Sequence, residues 1–391
     1  MDLDAFRQLL TSRGRQALAE AVELTATGAD PVTAATRLRR TYDAPLTSAA
    51  LTQAALRERA RAKFGEDAEV MFFTPHGLEQ STRKEVAEHR ARRLAGASVI
   101  DVCCGVGGDL LALARAGCTV TAVDIDPLTV AVARANAEAL GVADRVSVVV
   151  GNAGAVRPED YDVLFADPAR RTGRGRTFDP LAYSPPWPTV LDLVARADRA
   201  CVKVAPGIPY SYLPESSEVE WVSYKGEVKE AAIRTGPGMR STRRATLLPG
   251  GHTLAAAGPE SLAPVGALGR YIYEPDGAAI RAHLVREVAD LVDGRLLDQQ
   301  IAYIAADEPI DTPWAARYAV DEVMTFSLKK LRAALRERQI GNVTIKKRGS
   351  ALDIERLRAD LRLNGEKSAV IILTRIMERP YAFICDTSPA A

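Results

Sequence analysis

The stretch Val99-Ile100-Asp101-Val102-Cys103-Cys104-Gly105-Val106-Gly107-Gly108-Asp109 joins an apolar run to a glycine-rich turn, and a helical pattern follows. Glycines in such a turn let backbone N–H groups come close to a ligand, because no Cβ intervenes. A dinucleotide-binding turn has the pattern Gly-x-Gly-x-x-Gly, and Leu110 stands here in place of the third glycine. Asp101 would repel a pyrophosphate but suits a cationic amino or sulfonium group. The stretch therefore predicts a strand, a ligand-binding turn and a helix.

Apolar runs and helical patterns alternate from Ala97 to Val204. Such alternation is typical of a parallel sheet with helices on both faces, and an all-apolar run such as Val120–Val123 suits a strand covered on both sides. We therefore predict an α/β fold with a doubly wound, mostly parallel sheet. Strand-like segments without helices after Tyr210 predict an antiparallel edge to this sheet. The predicted parallel strands are Ser98–Cys103, Thr119–Val123, Val146–Val150, Val163–Ala166 and Ala200–Val204, and the predicted helices cover 108–116, 127–140 and 188–197.

Polar residues stand where the next three predicted strands end. Asp124 ends the second strand, where a carboxylate can accept hydrogen bonds from both hydroxyls of a ribose. Ile125 beside it is placed to pack on an adenine face, and Asn152 after the third strand is placed to bond the adenine edge. Asp167 ends the fourth strand. Open α/β sheets bind ligands at the carboxyl ends of their strands, so we expect these side chains to converge; the alternative is that they only cap helices and form turns.

These motifs, in this order, resemble the class I S-adenosylmethionine-dependent methyltransferases over roughly residues 75–250. The resemblance implies a Rossmann-like fold and S-adenosylmethionine as the cofactor. The segment Phe73–Thr82 is similar to the cofactor-covering segment of bacterial members that carry a THUMP-like C-terminal domain. The resemblance assigns Asp101, Cys104, Gly105 and Gly107 to the methionine part of the cofactor, Asp124 to the ribose, and Ile125 and Asn152 to the adenine.

The segment Asp167-Pro168-Ala169-Arg170-Arg171 occupies the place where nitrogen- and RNA-directed members of this family carry a short acidic or amide residue before proline. An acceptor near the donor methyl orients the target N–H and stabilises the positive charge that develops as nitrogen attacks. We therefore predict Asp167 and Arg170 as the catalytic residues, with Arg170 holding a nearby phosphate. RNA uracil-C5 methyltransferases need a nucleophilic cysteine just after the next strand, but Cys201 stands at the other end of that strand.

The loop after Asp167 carries four arginines and precedes two aromatic residues. Such a loop suits contacts with a nucleic-acid backbone, and Tyr183 and Trp187 are predicted to stack on a flipped or single-stranded base. The alternative is a solvated loop before a proline-initiated helix, with Trp187 as its packing anchor. The four arginines are Arg170, Arg171, Arg174 and Arg176.

The flanking regions differ from this core in composition. The N-terminal region is rich in Ala, Leu and Arg at helical spacing, and Pro31 after Asp30 predicts a capped helix start. The stretch 250–277 is rich in Gly, Ala and Pro and is predicted as a connector, followed by a helix at 278–292. From Asp321 onwards there are 14 Lys and Arg against 9 Asp and Glu, and this region resembles the THUMP-like domain, which implies RNA binding. The predicted domains are 1–90 (helical), 91–250 (methyltransferase), 251–320 (connector with helices) and 321–391 (THUMP-like α/β).

Composition excludes several other classes of protein. Among 391 residues, 47% are hydrophobic and 26% charged, and the net charge of +1 excludes a uniformly basic coat for nucleic acid. Five cysteines without a CxxC pair and four scattered histidines predict neither disulfides nor a metal site. No apolar run reaches the roughly 18 residues of a membrane helix, and Met1–Phe6 does not resemble the start of a signal peptide. We expect a cytoplasmic protein that engages neither membrane nor metal.

These observations predict an enzyme that transfers methyl from S-adenosylmethionine to a base nitrogen in structured RNA, such as transfer or ribosomal RNA. One alternative keeps the cofactor but makes the acceptor a small molecule or a protein. Another is an RNA-binding module whose methyltransferase core has lost activity; the Asp101, Gly105, Gly107 and Asp124 set argues against it.

Overall fold

The computed structural model describes residues 1–169, 171–172, 175–176, 180–257 and 259–386 of the chain. Its helices are α1 (Leu3–Leu10), α2 (Ser12–Ala26), α3 (Pro31–Leu38), α4 (Ala44–Phe64), α5 (Pro75–Gln80), α6 (Lys84–Arg92), α7 (Gly108–Arg115), α8 (Pro127–Ala139), α9 (Trp187–Arg196), α10 (Gly277–Arg281), α11 (Val285–Leu291), α12 (Leu328–Glu337) and α13 (Ile354–Leu361). Its strands are β1 (Ser98–Val102), β2 (Thr119–Asp124), β3 (Val146–Val150), β4 (Val163–Ala166), β5 (Arg171–Thr172), β6 (Gly175–Arg176), β7 (Ala200–Val204), β8 (Glu218–Tyr224), β9 (Glu227–Thr235), β10 (Thr242–Leu248), β11 (His252–Ala257), β12 (Tyr271–Pro275), β13 (Arg295–Asp298), β14 (Ile301–Ala306), β15 (Ala315–Thr325), β16 (Ile340–Lys347), β17 (Lys367–Ile376) and β18 (Arg379–Cys385).

Two compact units divide the chain. The first comprises residues 1–218 and 230–240, and the second comprises residues 219–229 and those from 241 onwards. The N-terminal helices thus belong to the same unit as the parallel sheet.

The sheet of the first unit has the strand order β9-β7-β4-β1-β2-β3. The pairs from β7 to β3 are parallel, and β9 runs antiparallel to β7. Strands β4 and β7 are buried along their whole length, as strands covered by helices on both faces must be. The predicted α/β fold with a mostly parallel sheet and an antiparallel edge is confirmed.

The N-terminal helices α1–α4 share one apolar core with the helices that cover the sheet. Phe6, Leu38 and Phe64 pack in the same cluster as Leu111 of α7 and Val132 of α8. Asp30 accepts hydrogen bonds from the N–H groups of Val32 and Thr33 at the start of α3, so the predicted capped helix start is confirmed. Burial of this shared core joins the helical region to the sheet within one unit.

The second unit contains a seven-stranded sheet in the order β13-β14-β12-β15-β18-β17-β16 and a smaller run, β11-β10-β8. Strands β16 and β17 pair in parallel, while the pairs β12–β14, β12–β15, β13–β14, β15–β18 and β17–β18 are antiparallel. Helices α12 and α13 cover this sheet through apolar side chains. The cluster includes Leu331, Leu335, Leu357, Leu361 and Ile371.

The stretch predicted as a connector is the main difference from the sequence-based fold. Strands β11 and β12 lie within 250–277, and β11 pairs along its whole length with β10. The helix predicted over 278–292 is two helices, α10 and α11. His283 lies between them with a φ of 52°, a left-handed conformation that interrupts a helix.

Candidate functional site

A cavity of about 210 Å³ lies at the carboxyl ends of β1, β2 and β4, in the first unit. Three segments form its wall: the chain before α6, the glycine-rich turn, and the Asp167-Pro168 segment. The lining residues are Gly77, Glu79, Gln80, Ser81, Thr82, Cys103, Cys104, Gly105, Val106, Gly108, Asp109, Asp124, Asp167, Pro168 and Ala169. Strand-end residues that are far apart in the sequence meet here because the parallel strands all end at this edge.

The turn between β1 and α7 follows a left-handed backbone at three positions. Gly105 and Gly107 have φ angles of 56° and 92°, which glycine adopts without steric cost. Cys103 has a φ of 68°, a conformation that is uncommon for a residue with a Cβ. The N–H of Cys103 donates to the carbonyl of Val123 at 2.9 Å, so the turn is fastened to the end of β2.

Asp124 fastens the turn from the other side. One carboxylate oxygen accepts the N–H of Gly105 at 3.0 Å, and the other accepts the N–H of Asp126 at 3.0 Å. Burial raises the pKa of Asp124, and these backbone hydrogen bonds oppose the rise. Carboxylate oxygens have further lone pairs, so a ligand hydroxyl can share this group.

Asp101 is fully buried behind the turn. Neither of its carboxylate oxygens has a hydrogen-bond partner among the residues that the structure describes. Burial raises the pKa of this carboxyl well above its usual range, and the nearby carboxylates of Asp109, Asp167 and Asp124 raise it further. A buried carboxyl without a partner is costly, and a cationic ligand group would relieve that cost.

Asp167 pairs with Lys203, a lysine of β7 that is only 4% exposed. The Lys203 ammonium also donates to the hydroxyl of Thr82 at 2.7 Å, and it lies 3.9 Å from a carboxylate oxygen of Asp109. A buried ammonium requires such partners, because desolvation without compensation is strongly unfavourable. Lys203 therefore holds Asp167 at the cavity wall.

Arg90 and Asp109 continue this charge network beneath the cavity. Arg90 is buried and pairs with both Asp109 and Glu230. Burial alone would lower the pKa of Arg90, but the two carboxylates outweigh it and hold the pKa well above its usual value. Burial would likewise raise the pKa of Asp109, and Arg90 with Lys203 outweighs it and lowers the pKa. Thr82 completes the network by donating to Asp109 at 2.7 Å.

The predicted site residues occupy different places. Cys104, Gly105, Asp124 and Asp167 line the cavity, and Asp101 lies buried behind it. The cavity lining does not include the other three predicted cofactor residues. Gly107 is buried in the turn, Ile125 is 74% exposed beside Asp124, and Asn152 is exposed and accepts the N–H of Gly154 at 2.9 Å. Arg170, the second predicted catalytic residue, lies outside the described residues.

The structure does not support base stacking by the predicted aromatic residues. Tyr183 and Trp187 are each only 3% exposed, and their rings meet edge to face with centroids 6.4 Å apart. The prediction that they stack on a base is therefore wrong, because neither ring face is accessible. Trp187 is the packing anchor at the start of α9, the alternative left open above.

The sequence patterns alone do not point to a role for Lys203, Thr82, Asp109 or Arg90. Lys203 did carry a signal, since it is the lone charged residue of an otherwise apolar strand, a pattern typical of a buried, partnered charge. Thr82 ends the segment Phe73–Thr82, and Asp109 ends the stretch Val99–Asp109. Arg90 carried no signal, because it stands in a helix rich in basic residues.

The residues at the cavity fit S-adenosylmethionine. The cofactor carries a sulfonium and an ammonium, and four carboxyl groups lie in or directly behind the cavity against two buried cations, Lys203 and Arg90. The unpartnered carboxyl of Asp101 matches the cationic part, and the left-handed turn leaves its backbone open, since nothing lies within 4 Å of a Cβ built at Gly105. The four carboxyl groups belong to Asp101, Asp109, Asp124 and Asp167.

Within the described part of the chain, no group of three or more His, Cys, Asp or Glu residues could hold a metal ion. The same residues include no helix with the length and apolar character that crossing a membrane requires.

Comparison with protein families gives three matches along the chain. Residues 96–190 match the RNA cap guanine-N2 methyltransferase family, residues 315–387 match the THUMP domain-like family, and residues 2–60 match a domain of unknown function. A solved structure from Porphyromonas gingivalis W83, described as a candidate methyltransferase, aligns with a TM-score of 0.76 over 96% of this chain and 99% of that one. At 18% identity this likeness shows the fold alone.

Two curated relatives come from Mycobacterium tuberculosis, strains CDC 1551 / Oshkosh and H37Rv, and each is described as an uncharacterized S-adenosylmethionine-dependent methyltransferase. Each is 36% identical over 351 residues, which cover 85% of this chain and 95% of the relative. S-adenosylmethionine is accordingly the methyl donor, and the chain belongs to the S-adenosylmethionine-dependent methyltransferases.

Proposed function

We propose that this methyltransferase acts on a base nitrogen in structured RNA, such as transfer or ribosomal RNA. The observation that carries the proposal is the position of Asp167 in the wall of the cavity, beside the glycine-rich turn and fixed by Lys203. A fixed carboxylate is an acceptor of the kind that methyl transfer to a nitrogen needs near the donor methyl.

S-adenosylmethionine, when bound, supplies an electrophilic methyl carbon attached to sulfur. Asp167 accepts the N–H of the target nitrogen and turns its lone pair toward that carbon. With the cofactor bound, this carboxylate would offset the positive charge on the attacking nitrogen as the methyl group leaves sulfur, and it would then accept the released proton. Lys203 keeps the carboxylate in place by occupying one of its oxygens. Arg170 is proposed to hold a phosphate of the acceptor.

The cofactor has a proposed set of partners in this chain. The carboxylate of Asp101 binds the cationic part of the methionine, and the turn at Cys104 and Gly105 supplies backbone contacts. Asp124 accepts the ribose hydroxyls, as carboxylates at this position of an open α/β sheet commonly do. Ile125 packs on the adenine, and its high exposure beside Asp124 leaves an apolar surface for this contact.

Two family matches support RNA as the acceptor class, one over residues 96–190 and one over residues 315–387. Several cations of the C-terminal region already have carboxylate partners within the protein. Lys346 and Arg348 pair with Glu274, and Arg338 pairs with Glu322. Lys329 and Lys330 of α12 are exposed and form no ion pair with the residues that the structure describes, and we propose that they contact phosphates.

Replacing both lysines tests this contact. We expect Lys329→Ala with Lys330→Ala to weaken binding of bulk transfer RNA several-fold, and to reduce the slope of log affinity against log salt by about two, one for each phosphate contact. Cofactor affinity should be unchanged. The matched control is Lys367→Ala with Arg379→Ala, two exposed cations of the same unit. Equal RNA binding and equal salt slopes in all three proteins would remove α12 from the proposed interface.

Methyl transfer from labelled S-adenosylmethionine into fractionated cell extract, with and without ribonuclease, tests the proposed acceptor. We expect label in material that ribonuclease destroys. Asp124→Ala should abolish this label at low cofactor concentration, because loss of hydrogen bonds to a charged group raises the dissociation constant for cofactor by about 10- to 100-fold. Label in ribonuclease-resistant material would instead identify a protein or small-molecule acceptor.

A further inference from the structure

The chain from Phe72 to Thr82 forms one wall of the cavity, and the N-terminal helices hold it there. Five residues of this segment line the cavity: Gly77, Glu79, Gln80, Ser81 and Thr82. Its one helix, α5, has six residues, far too few to be stable without tertiary support. The position of this wall therefore depends on contacts from outside the segment.

Two buried amides fix the start of the segment. The side chain of Gln53, on α4, bonds both backbone groups of Phe73: its oxygen accepts the N–H at 3.0 Å and its nitrogen donates to the carbonyl at 2.6 Å. Asn136, on α8, does the same for Phe72, at 2.6 Å and 3.0 Å. Each amide satisfies backbone groups that strand pairing would otherwise satisfy.

One lysine fixes the end of the segment. The ammonium of Lys63, in the last turn of α4, donates to the carbonyls of Leu78, Glu79 and Ser81 at 2.7, 2.9 and 2.9 Å. These carbonyls are at and just beyond the last turn of α5, where a helix leaves its acceptors unsatisfied and carries partial negative charge. An ammonium with three donors matches this group of three acceptors.

The segment packs directly against the glycine-rich turn. A Cβ built at Gly77 would lie 2.3 Å from a methyl of Val106, so the backbone of α5 approaches the turn as closely as glycine allows. A shift of α5 would therefore move both the segment that contains it and the glycine-rich turn, which form two walls of the cavity. Gln53 and Lys63 therefore act on the turn indirectly, through a segment whose Gly77 lies against Val106.

We propose that the N-terminal helical region is a structural part of the cofactor site, and that Lys63 is its positioning residue. Lys63 holds residues 78–81 so that the wall of the cavity is formed before the cofactor arrives, which lowers the ordering cost of binding. The region that matches a domain of unknown function, residues 2–60, thus supports the wall of the cofactor site, together with the end of α4 that follows it. It rests on the cofactor site proposed above.

The test measures cofactor affinity and turnover separately in Lys63→Met. We expect the dissociation constant and KM for S-adenosylmethionine to rise about tenfold, while kcat at saturating cofactor stays within about twofold. Lys63→Arg keeps the charge and several donors, so it should return the affinity to within about threefold of wild type. Arg59→Met removes an exposed cation from the same helix and is the matched control, with no change expected.

Hydrogen exchange distinguishes positioning from general stability. In Lys63→Met we expect faster exchange at residues 75–82 and unchanged exchange in β1 and β2. Lys63→Gln, which keeps two donors, serves the same comparison if the methionine variant does not fold. A lower melting temperature with unchanged cofactor affinity would overturn the proposal. Asp124→Ala distinguishes failure of the proposed cofactor site from failure of the role of Lys63. If Asp124→Ala binds cofactor like wild type, the proposed site itself is wrong, whatever Lys63→Met does.

Discussion

Replacing Asp167 by alanine is expected to lower turnover by about 100- to 1,000-fold, the range associated with loss of a positioned acid–base group or an electrostatic stabiliser. The dissociation constant for S-adenosylmethionine should stay within about threefold of wild type, since the proposed cofactor contacts come from other residues. The buried ammonium of Lys203 would still lie near Asp109 and the hydroxyl of Thr82, so the chain should fold. Single-turnover methyl transfer at saturating cofactor measures the effect.

Asp167→Asn separates the two roles of the carboxylate. The amide keeps an oxygen acceptor that can orient a target N–H, but it lacks the charge that offsets developing positive charge on nitrogen. If the turnover of Asp167→Asn lies between that of Asp167→Ala and that of wild type, part of the effect comes from orientation of the target N–H. Asp144→Ala, at an exposed position, is the matched control. Wild-type turnover in Asp167→Ala would mean that the reacting nitrogen lies elsewhere.

Asp101→Asn should have opposite effects on cofactor binding and on stability. The carboxyl of Asp101 is fully buried without a hydrogen-bond partner in the described chain, and burial together with neighbouring carboxylates raises its pKa well above the usual range. In the free protein, burial and the neighbouring carboxylates therefore favour the protonated form of this carboxyl. Binding a cationic group favours the carboxylate, so the proton must leave. Asparagine cannot make this change, and we expect cofactor affinity to fall about 10- to 100-fold.

The sign of the stability effect follows from the raised pKa. A carboxyl whose folded pKa lies above its unfolded value of about 3.9 contributes its full stability below that pH and loses it as the pH rises toward the folded pKa. Asparagine has no proton to lose. The melting temperature of Asp101→Asn, relative to that of wild type, should therefore increase as the pH is raised from about 4 to 8.

Calorimetry checks proton release directly. Cofactor binding to wild type should show enthalpies that differ between phosphate and Tris buffers, because the released proton is taken up by the buffer. The difference should shrink in Asp101→Asn and persist in Asp144→Asn. Equal affinity and equal buffer dependence in wild type and Asp101→Asn would contradict the assigned role of Asp101.

The fold of the first unit and part of its site could be predicted because they follow from local patterns. Buried parallel strands are apolar throughout, and their carboxyl ends meet at one edge, so Asp124 and Asp167 could be placed together from spacing alone. The predicted connector at 250–277 failed for the opposite reason. Strand β11 has a weak intrinsic pattern and is a strand because it pairs with β10 after the turn at Gly250.

The charge network could not be predicted because its members are partners only in the folded chain. Arg90 stands 140 residues before Glu230, and Lys203 stands 36 residues after Asp167. Helix α6 has several basic residues, and only the packing of α6 shows that Arg90 is the buried one. The same holds for Lys63, whose acceptors are backbone carbonyls and leave no trace in the side-chain pattern.

The charge network beneath the cavity joins residues that are added to the chain at very different times during synthesis. Arg90 and Asp109 emerge from the ribosome long before Glu230, which lies in strand β9. Until that strand joins the sheet, the guanidinium of Arg90 keeps Asp109 but lacks its second carboxylate partner, so the charge network beneath the cavity is incomplete. We therefore expect a nascent chain that ends before β9 to bind cofactor more weakly than the full chain, because the support of the cavity is completed only when Glu230 is in place.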